Sequence, residues 1–244
     1  MKIALACTPV ENRNMDFNER EIHKAISAVS GKADLIVFGE AVLQGFDCLC
    51  WDYETDCHTG VALTDAPIQR IRQSAKIYEI AVSFGFIQRD GERLYSSQIF
   101  IGADGEILHV FRRLSKGWKE FNQTDQHYQE GTCFERFSYR GITFTIGLCG
   151  DLWTEGLPEQ INALHGDVVL WPVWCDYSPE DWNHRLKYAY ARQAALCCEN
   201  VCLVNPFCCT PDCAAGGAAY FRGGQIMEEL PAGQTGILIV DVSK

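Results

Sequence analysis

The feature that most constrains this chain is a set of strand-like runs that stay apolar along their length instead of alternating. Asp34-Leu35-Ile36-Val37-Phe38-Gly39-Glu40 is one, with a carboxylate at its end, and Asp167 to Trp171 is another. Segments with helical spacing lie between such runs. Phe17, Ile22, Ala25, Ile26 and Val29 fall close to one face of a helix over 17–29 that Gly31 ends. Thr64-Asp65-Ala66-Pro67 offers a cap and an early proline for a helix over 68–78, and a long helix is predicted from Pro179 or Glu180 to Asn200. Continuous apolar strands joined by helices point to a sheet covered on at least one face. Hairpins are predicted at Asp90-Gly91 and around Arg222-Gly223-Gly224. The mixture implies a layered α/β architecture. With no repeats, low-complexity tracts or linkers, it is read as a single domain over residues 1–244.

The formal net charge of -11 argues against a nucleic-acid backbone or an anionic membrane surface as partner. The amino terminus, Met1 to Pro9, lacks the long apolar core of a signal peptide, and no run is long enough to span a bilayer. A cytoplasmic protein with reduced thiols is the expectation. Thirteen cysteines are present, but Cys197, Cys198, Cys202, Cys208, Cys209 and Cys213 contain no Cys-x-x-Cys pair, and Cys48, Cys50, Cys57 and His58 are looser still. No metal site is therefore predicted.

One cysteine stands apart. Ile142-Thr143-Phe144-Thr145-Ile146 ends abruptly in Gly147-Leu148-Cys149-Gly150-Asp151, a buried strand delivering a thiol to a turn that Gly147 and Gly150 make permissive. The plainer reading is a small apolar residue closing a core strand. Glu40 also ends an apolar strand, and if the two strands neighbour each other in one sheet, both side chains project into the same crevice. A thiol is largely protonated at neutral pH and needs a base, which a carboxylate in such a crevice can supply. The loop Arg112-Arg113-Leu114-Ser115-Lys116-Gly117-Trp118-Lys119-Glu120 follows a strand and carries the cations that would hold an oxyanion. Taken singly, the strand-end glutamate and the basic loop also read as solvated surface.

These residues resemble the nitrilase, or carbon–nitrogen hydrolase, superfamily over essentially the whole chain. Leu-Ile-Val-Phe-Gly-Glu40 with Gln44-Gly45-Phe46 is similar to the segment ending in the family's catalytic glutamate. Gly147-Leu148-Cys149-Gly150-Asp151 with Pro158-Glu159 is similar to its nucleophile segment. Ala191-Arg192-Gln193-Ala194, Glu199-Asn200, Asn205, Gly216-Gly217 and Gly223-Gly224 resemble its carboxy-terminal features. The resemblance implies a four-layer-forming α-β-β-α sandwich of the nitrilase type, a homodimer as its usual assembly, and no cofactor. It implies a catalytic set of Glu40 as base, Cys149 as nucleophile, a lysine, and the backbone N–H of Gly150 at the oxyanion. The lysine segment departs from the pattern: Phe111-Arg112-Arg113 puts arginine where the family has lysine. Guanidinium does not replace ammonium, so Lys116, brought in by a short bulge at Gly117, is the favoured cation and Arg113 the alternative. Glu120 resembles an additional glutamate after the lysine loop, and Lys119 is assigned to the surface.

The implied substrate is a small amide or carbamoyl compound, hydrolysed at a non-peptide carbon–nitrogen bond through a Cys149 thioester. Trp153, Trp174 and Tyr177 are candidate pocket walls, and Asp176 is a candidate reader of polar groups. A non-catalytic binding relative, an acyl transferase and a metal or redox protein are the competing readings.

Overall fold

The computed structural model describes residues 1–208, 210 and 213–242; Cys209 of the cysteine group lies outside the described residues. In chain order the first half runs β1 (Lys2–Cys7), β2 (Pro9–Val10), α1 (Met15–Val29), β3 (Leu35–Phe38), α2 (Tyr53–Asp56), α3 (Ala66–Ile77), β4 (Ala81–Asp90), β5 (Arg93–Ile101) and β6 (Ile107–Arg112). The second half runs β7 (Arg136–Tyr139), β8 (Ile142–Ile146), α4 (Leu157–Asn162), β9 (Val168–Pro172), α5 (Pro179–Asp181), α6 (Lys187–Ala194), β10 (Asn200–Val204), β11 (Phe207–Cys208), β12 (Ala218–Arg222), β13 (Gln225–Leu230) and β14 (Gly236–Asp241).

The strands form two six-stranded sheets, ordered β14-β1-β3-β4-β5-β6 and β13-β12-β10-β9-β8-β7. Each has a parallel centre, β1-β3-β4 in one and β8-β9-β10 in the other, with antiparallel strands outside it. The unbroken apolar runs follow from this arrangement. In β1 and β3, Ile3, Leu5, Leu35 and Val37 join the core that also holds Phe144, Ile146 and Val169 of the facing sheet. The alternate residues Ala4, Ala6, Ile36 and Phe38 pack against Ile22, Ile26, Ile68 and Ile71 of α1 and α3. Both faces are dry, so each fully buried aliphatic side chain contributes about 1.5–3 kcal/mol and a polar replacement on either face is costly. Ile161, Ala191 and Ala194 of α4 and α6 cover the other sheet, which gives the α-β-β-α sandwich.

Element boundaries depart from expectation where side chains make tertiary contacts. The first helix begins at Met15 because Asn14 caps it, accepting from the Phe17 N–H at 3.2 Å. Asp65 does not cap α3; its carboxylate accepts from Ala62 N at 2.8 Å and pairs with Arg89. The predicted 180–200 helix contains a π turn at Trp182–Leu186 and ends at Ala194. Asn183 in that turn exchanges two hydrogen bonds with the Ala232 backbone, and Asn200 is drawn into β10, where its side chain accepts from Tyr220 Oη at 2.7 Å. The expectation of uniformly reduced thiols is also corrected: Cys208 and Cys213 form a disulfide, with Cα atoms 5.7 Å apart. Among the described residues no helix is long and apolar enough to cross a membrane, and no cluster of three or more His, Cys, Asp or Glu could hold a metal ion.

Candidate active site

Glu40 and Cys149 do not end neighbouring strands of one sheet. Glu40 follows β3 in the first sheet and Cys149 follows β8 in the second. Their crevice lies between the carboxyl ends of two facing sheets, and the Glu40 N–H donates across it to Val173 O at 3.2 Å, just beyond β9. The turn that carries Glu40 presses on β4. A Cβ added to Gly85 would lie 2.4 Å from Ala41 N and 2.7 Å from Glu40 Cα, so only glycine lets β4 pass there. The Glu40 side chain is fully buried. Its Oε1 accepts from Ser96 Oγ at 2.7 Å and from Arg113 Nη1 at 3.0 Å, and Oε2 accepts from the same Nη1 at 3.3 Å.

Arg113, not Lys116, is therefore the cation beside Glu40. Its backbone N–H donates to Ser96 O at 2.9 Å, extending the β5-β6 ladder by one residue, and Nε donates to Ser115 Oγ at 2.8 Å. Burial works against the guanidinium charge, but Glu40, with Cys149 and Asp151 behind it, outweighs burial and holds the group charged above its ordinary value. The remaining nitrogen faces the nucleophile turn: a Cβ at Gly150 would sit 2.6 Å from Arg113 Nη2 and 3.2 Å from Ser115 Oγ.

Lys116 is exposed, with its ammonium 5.2 Å from the Phe121 ring centroid. The reason lies in Asp151, which is fully buried. Asp151 Oδ1 accepts from Leu114 N at 3.1 Å and Ser115 N at 2.7 Å, and Oδ2 accepts from Leu148 N at 2.9 Å. Those bonds pin the two residues after Arg113 to the nucleophile turn and carry the chain outward at Lys116, so no bulge brings its amine in. Burial raises the Asp151 pKa, while the N–H donors and Arg113 oppose that rise. Glu120 is exposed, and its backbone C=O accepts from Gln123 and Thr124. Lys119 is not a surface lysine: its side chain is largely buried and pairs with Glu130 at 2.8 Å.

At Cys149 the strained residue is the cysteine itself. Its φ of 43° lies in the left-handed region, whereas neither Gly147 nor Gly150 has a positive φ. The two glycines serve by leaving space: a Cβ at Gly147 would meet Leu152 Cδ1 at 2.4 Å. The sharp turn lifts the thiol off the end of β8, and Trp171 Nε1 holds the Cys149 carbonyl at 3.0 Å. The sulfur lies 3.8 Å from Trp174 O. The Cys175 thiol, then burial, then the nearby Glu40 charge push the Cys149 thiol well up, with Arg113 acting the other way. Cys149 accordingly rests protonated and needs a base.

The predicted pocket residues divide. Trp174 supplies its carbonyl to Cys149 while its ring stacks on Phe46 with centroids 6.0 Å apart. Trp153 is exposed and stands edge-on to Tyr190, with centroids 4.9 Å apart. Tyr177 is committed to packing: its ring lies on Trp182 at 4.6 Å and its hydroxyl donates to Gly216 O at 3.2 Å. Asp176 is exposed. Two surface grooves, of 370 and 330 Å³, contain neither Glu40 nor Cys149, so buried charge locates this site better than cavity size does. Sequence reasoning missed Ser96, Ser115 and Cys175, and quoted Asp151 without a role. The available signal was Ser96-Ser97-Gln98, three consecutive polar residues that lie in β5 and are all buried.

The sequence from residue 4 to 244 matches the carbon–nitrogen hydrolase family. The chain belongs to that family. Among curated relatives of the family, an N-carbamoylputrescine amidase from Oryza sativa subsp. japonica is 25% identical over 74% of this chain and 60% of its own length. A glutamine-dependent NAD(+) synthetase from Acinetobacter baylyi is 26% identical over 69% of this chain and 30% of its own. This carbon–nitrogen hydrolase chain thus spans less than two thirds of either relative. A solved carbon–nitrogen hydrolase superfamily protein from Xanthomonas campestris superposes with a TM-score of 0.81 at 16% identity, over 100% of this chain and 90% of that one, which is a likeness of fold.

Proposed function

We propose that this chain hydrolyses the carbon–nitrogen bond of a small non-peptide amide or carbamoyl compound through a thioester on Cys149. The observation that carries the reading is a cysteine in left-handed conformation facing a buried Glu40–Arg113 pair across the crevice between two sheets. Glu40 accepts the Cys149 proton as sulfur attacks the planar carbonyl carbon. Arg113 and the Gly150 N–H hold the oxyanion that develops. Arg113 does so as a fixed charge and never as a proton donor, so the leaving ammonia or amine takes its proton from Glu40. Glu40 then draws a proton from water, which releases the acid and frees the thiol. The name of the rice relative, an amidase for an N-carbamoyl compound, favours an amide-type substrate over a nitrile. We assign residues 1–244 to one catalytic domain that pairs into a homodimer.

The experiment is ammonia release from a panel of small amides and carbamoyl compounds by wild type and Cys149→Ala, with melting temperatures taken in parallel. Release by wild type and none by a folded Cys149→Ala is expected. Undiminished release by Cys149→Ala overturns the reading. Failure of an electrophilic amide analogue to label Cys149 favours a non-catalytic binding relative, and acyl transfer to an added amine in preference to water makes the enzyme a transferase.

A further inference from the structure

Beyond β9 the chain continues as Val173-Trp174-Cys175, and two consecutive carbonyls of this short strut face the base and the nucleophile. Val173 O accepts from the Glu40 N–H at 3.2 Å, and Trp174 O lies 3.8 Å from Cys149 Sγ. One end of the strut is fixed by the Val173 N–H, which donates to Val204 O at 3.0 Å. The other end is gripped by Asn205, the residue after β10, which is fully buried. Asn205 Oδ1 accepts from the Cys175 N–H at 3.0 Å, and Nδ2 donates to Cys175 O at 2.9 Å and to Gly216 O at 3.1 Å. Ala215 N donates to the same Cys175 carbonyl at 3.1 Å. The Cys175 N–H and the Trp174 carbonyl belong to one planar trans peptide, in which they point in opposite directions. By taking that N–H, Asn205 fixes where the Trp174 oxygen points, and it points at the nucleophile.

We propose that Asn205 is a positioning residue for the hydrolytic site: it locks the Trp174–Cys175 peptide with its carbonyl toward Cys149, so that one part of the strut aims the thiol while the next seats Glu40. The proposal rests on Cys149 being the nucleophile and Glu40 its base. A carbonyl oxygen accepts from an S–H and repels a thiolate, so the locked peptide keeps the sulfur as a donor until Glu40 takes the proton. A peptide free to rotate can turn its N–H to the sulfur instead, which favours a thiolate formed without Glu40. Losing the lock therefore makes the thiolate easier to form and the base worse aligned with it. Asn205 acts on the sulfur through this one peptide unit, and small errors of alignment are costly in a step that needs base, sulfur and carbonyl carbon together.

The test compares Asn205→Ala with Asn200→Ala in the full-length protein. Asn200 is a second buried asparagine of the same segment, but its side chain donates to Asp167 O at 3.0 Å and accepts from Tyr220 Oη, away from the strut. Two readouts are taken: kcat and KM for ammonia release, and the pH dependence of Cys149 alkylation by iodoacetamide, located by fragmentation of the tryptic peptide 141–185. Alkylation follows the thiolate, and Glu40, Arg113 and Cys175, the titratable and charged groups that face Cys149, are the same in all three proteins. In Asn205→Ala, kcat should fall about 10- to 100-fold with KM little changed. Its alkylation midpoint should move down by about half a pH unit. Asn200→Ala should lose melting temperature and match wild type in both readouts. If Asn205→Ala does not fold, Asn205→Ser, which keeps a hydroxyl beside the Cys175 backbone, takes its place with smaller changes in the same directions. An unchanged kcat or an unchanged midpoint in a folded Asn205 variant overturns the proposal. So does an equal fall of kcat in Asn200→Ala, because lost stability then explains the effect. Alkylation is read without substrate. A shifted midpoint in a protein whose wild type hydrolyses nothing leaves the locked peptide standing and removes the hydrolase reading, and wild-type turnover with no shift does the reverse.

Discussion

Arg113 Nη1 lies 3.0 Å from Glu40 Oε1, and both side chains are buried. This one ion pair joins the segment after β6 to the segment after β3 and places the cation that faces Gly150. Removing one partner of a buried pair strands the other charge at about 3–5 kcal/mol. Arg113→Met should therefore lose stability of that order in urea denaturation and lose ammonia release. Arg113→Lys keeps the charge and should retain more of both. Lys116→Ala, at an exposed site, should release ammonia close to the wild-type rate. If Lys116→Ala is inactive while Arg113→Met works, the assignment of the cation is wrong.

Ser96 Oγ is the second donor to Glu40 Oε1, at 2.7 Å. Ser96→Ala leaves a buried carboxylate oxygen with one fewer donor, which should cost about 1.5–3 kcal/mol. Chemical denaturation measures it directly. A change indistinguishable from zero would mean that this hydrogen bond does not hold Glu40.

Asp151 accepts three backbone N–H groups from two segments. In Asp151→Asn the carbonyl oxygen can serve Leu114 and Ser115, but the amide then turns an NH₂ toward the Leu148 N–H. The stranded donor should cost about 1–3 kcal/mol. Because the same bonds hold Arg113 beside the nucleophile turn, kcat should fall more than KM rises. A variant that loses stability with unchanged kcat would reduce Asp151 to a structural tie.

His109 gives a pH signature in stability. It is stacked on Phe137, and its Nε2 is buried without a partner; Glu135, 4.0 Å from Nδ1, is the charge that faces it. Burial holds its pKa below the ordinary 6.5, and Glu135 only partly opposes this. The unfolded chain thus takes up a proton near pH 6.5 that the folded chain refuses, so the stability contributed by neutral His109 is present above pH 6.5 and is lost as pH falls toward the folded value. In His109→Phe, melting temperature should fall less steeply below pH 6.5 than in wild type. Parallel slopes for the two proteins would exclude this role.

Much of the fold was legible because local patterning reports burial. Leu35-Ile36-Val37-Phe38, apolar at every position, pointed to a sheet covered on at least one face, and the structure covers both. Glu40 and Cys149 were legible as candidates because each follows such a strand, where a rigid element delivers a side chain to the end of a sheet. The long helix over 180–200 was overextended because nothing local shows that Asn183 turns to the Ala232 backbone or that Asn200 joins β10. The disulfide at Cys208–Cys213 is local, with its cysteines five residues apart, and the reading of uniformly reduced thiols passed over it.

By itself the sequence determined the layered α/β class, the strand ends that carry Glu40 and Cys149, and the presence of arginine at position 113. Only the tertiary structure decided that those strands belong to different sheets, that Arg113 and not Lys116 reaches Glu40, and that the Cys149 sulfur lies against Trp174 O. The physical reason is range. Periodicity and turn chemistry act over a few residues, whereas the direction of the chain at Lys116 is set by Asp151, 36 residues from Ser115, and the buried charge of Arg113 by Glu40, 73 residues away.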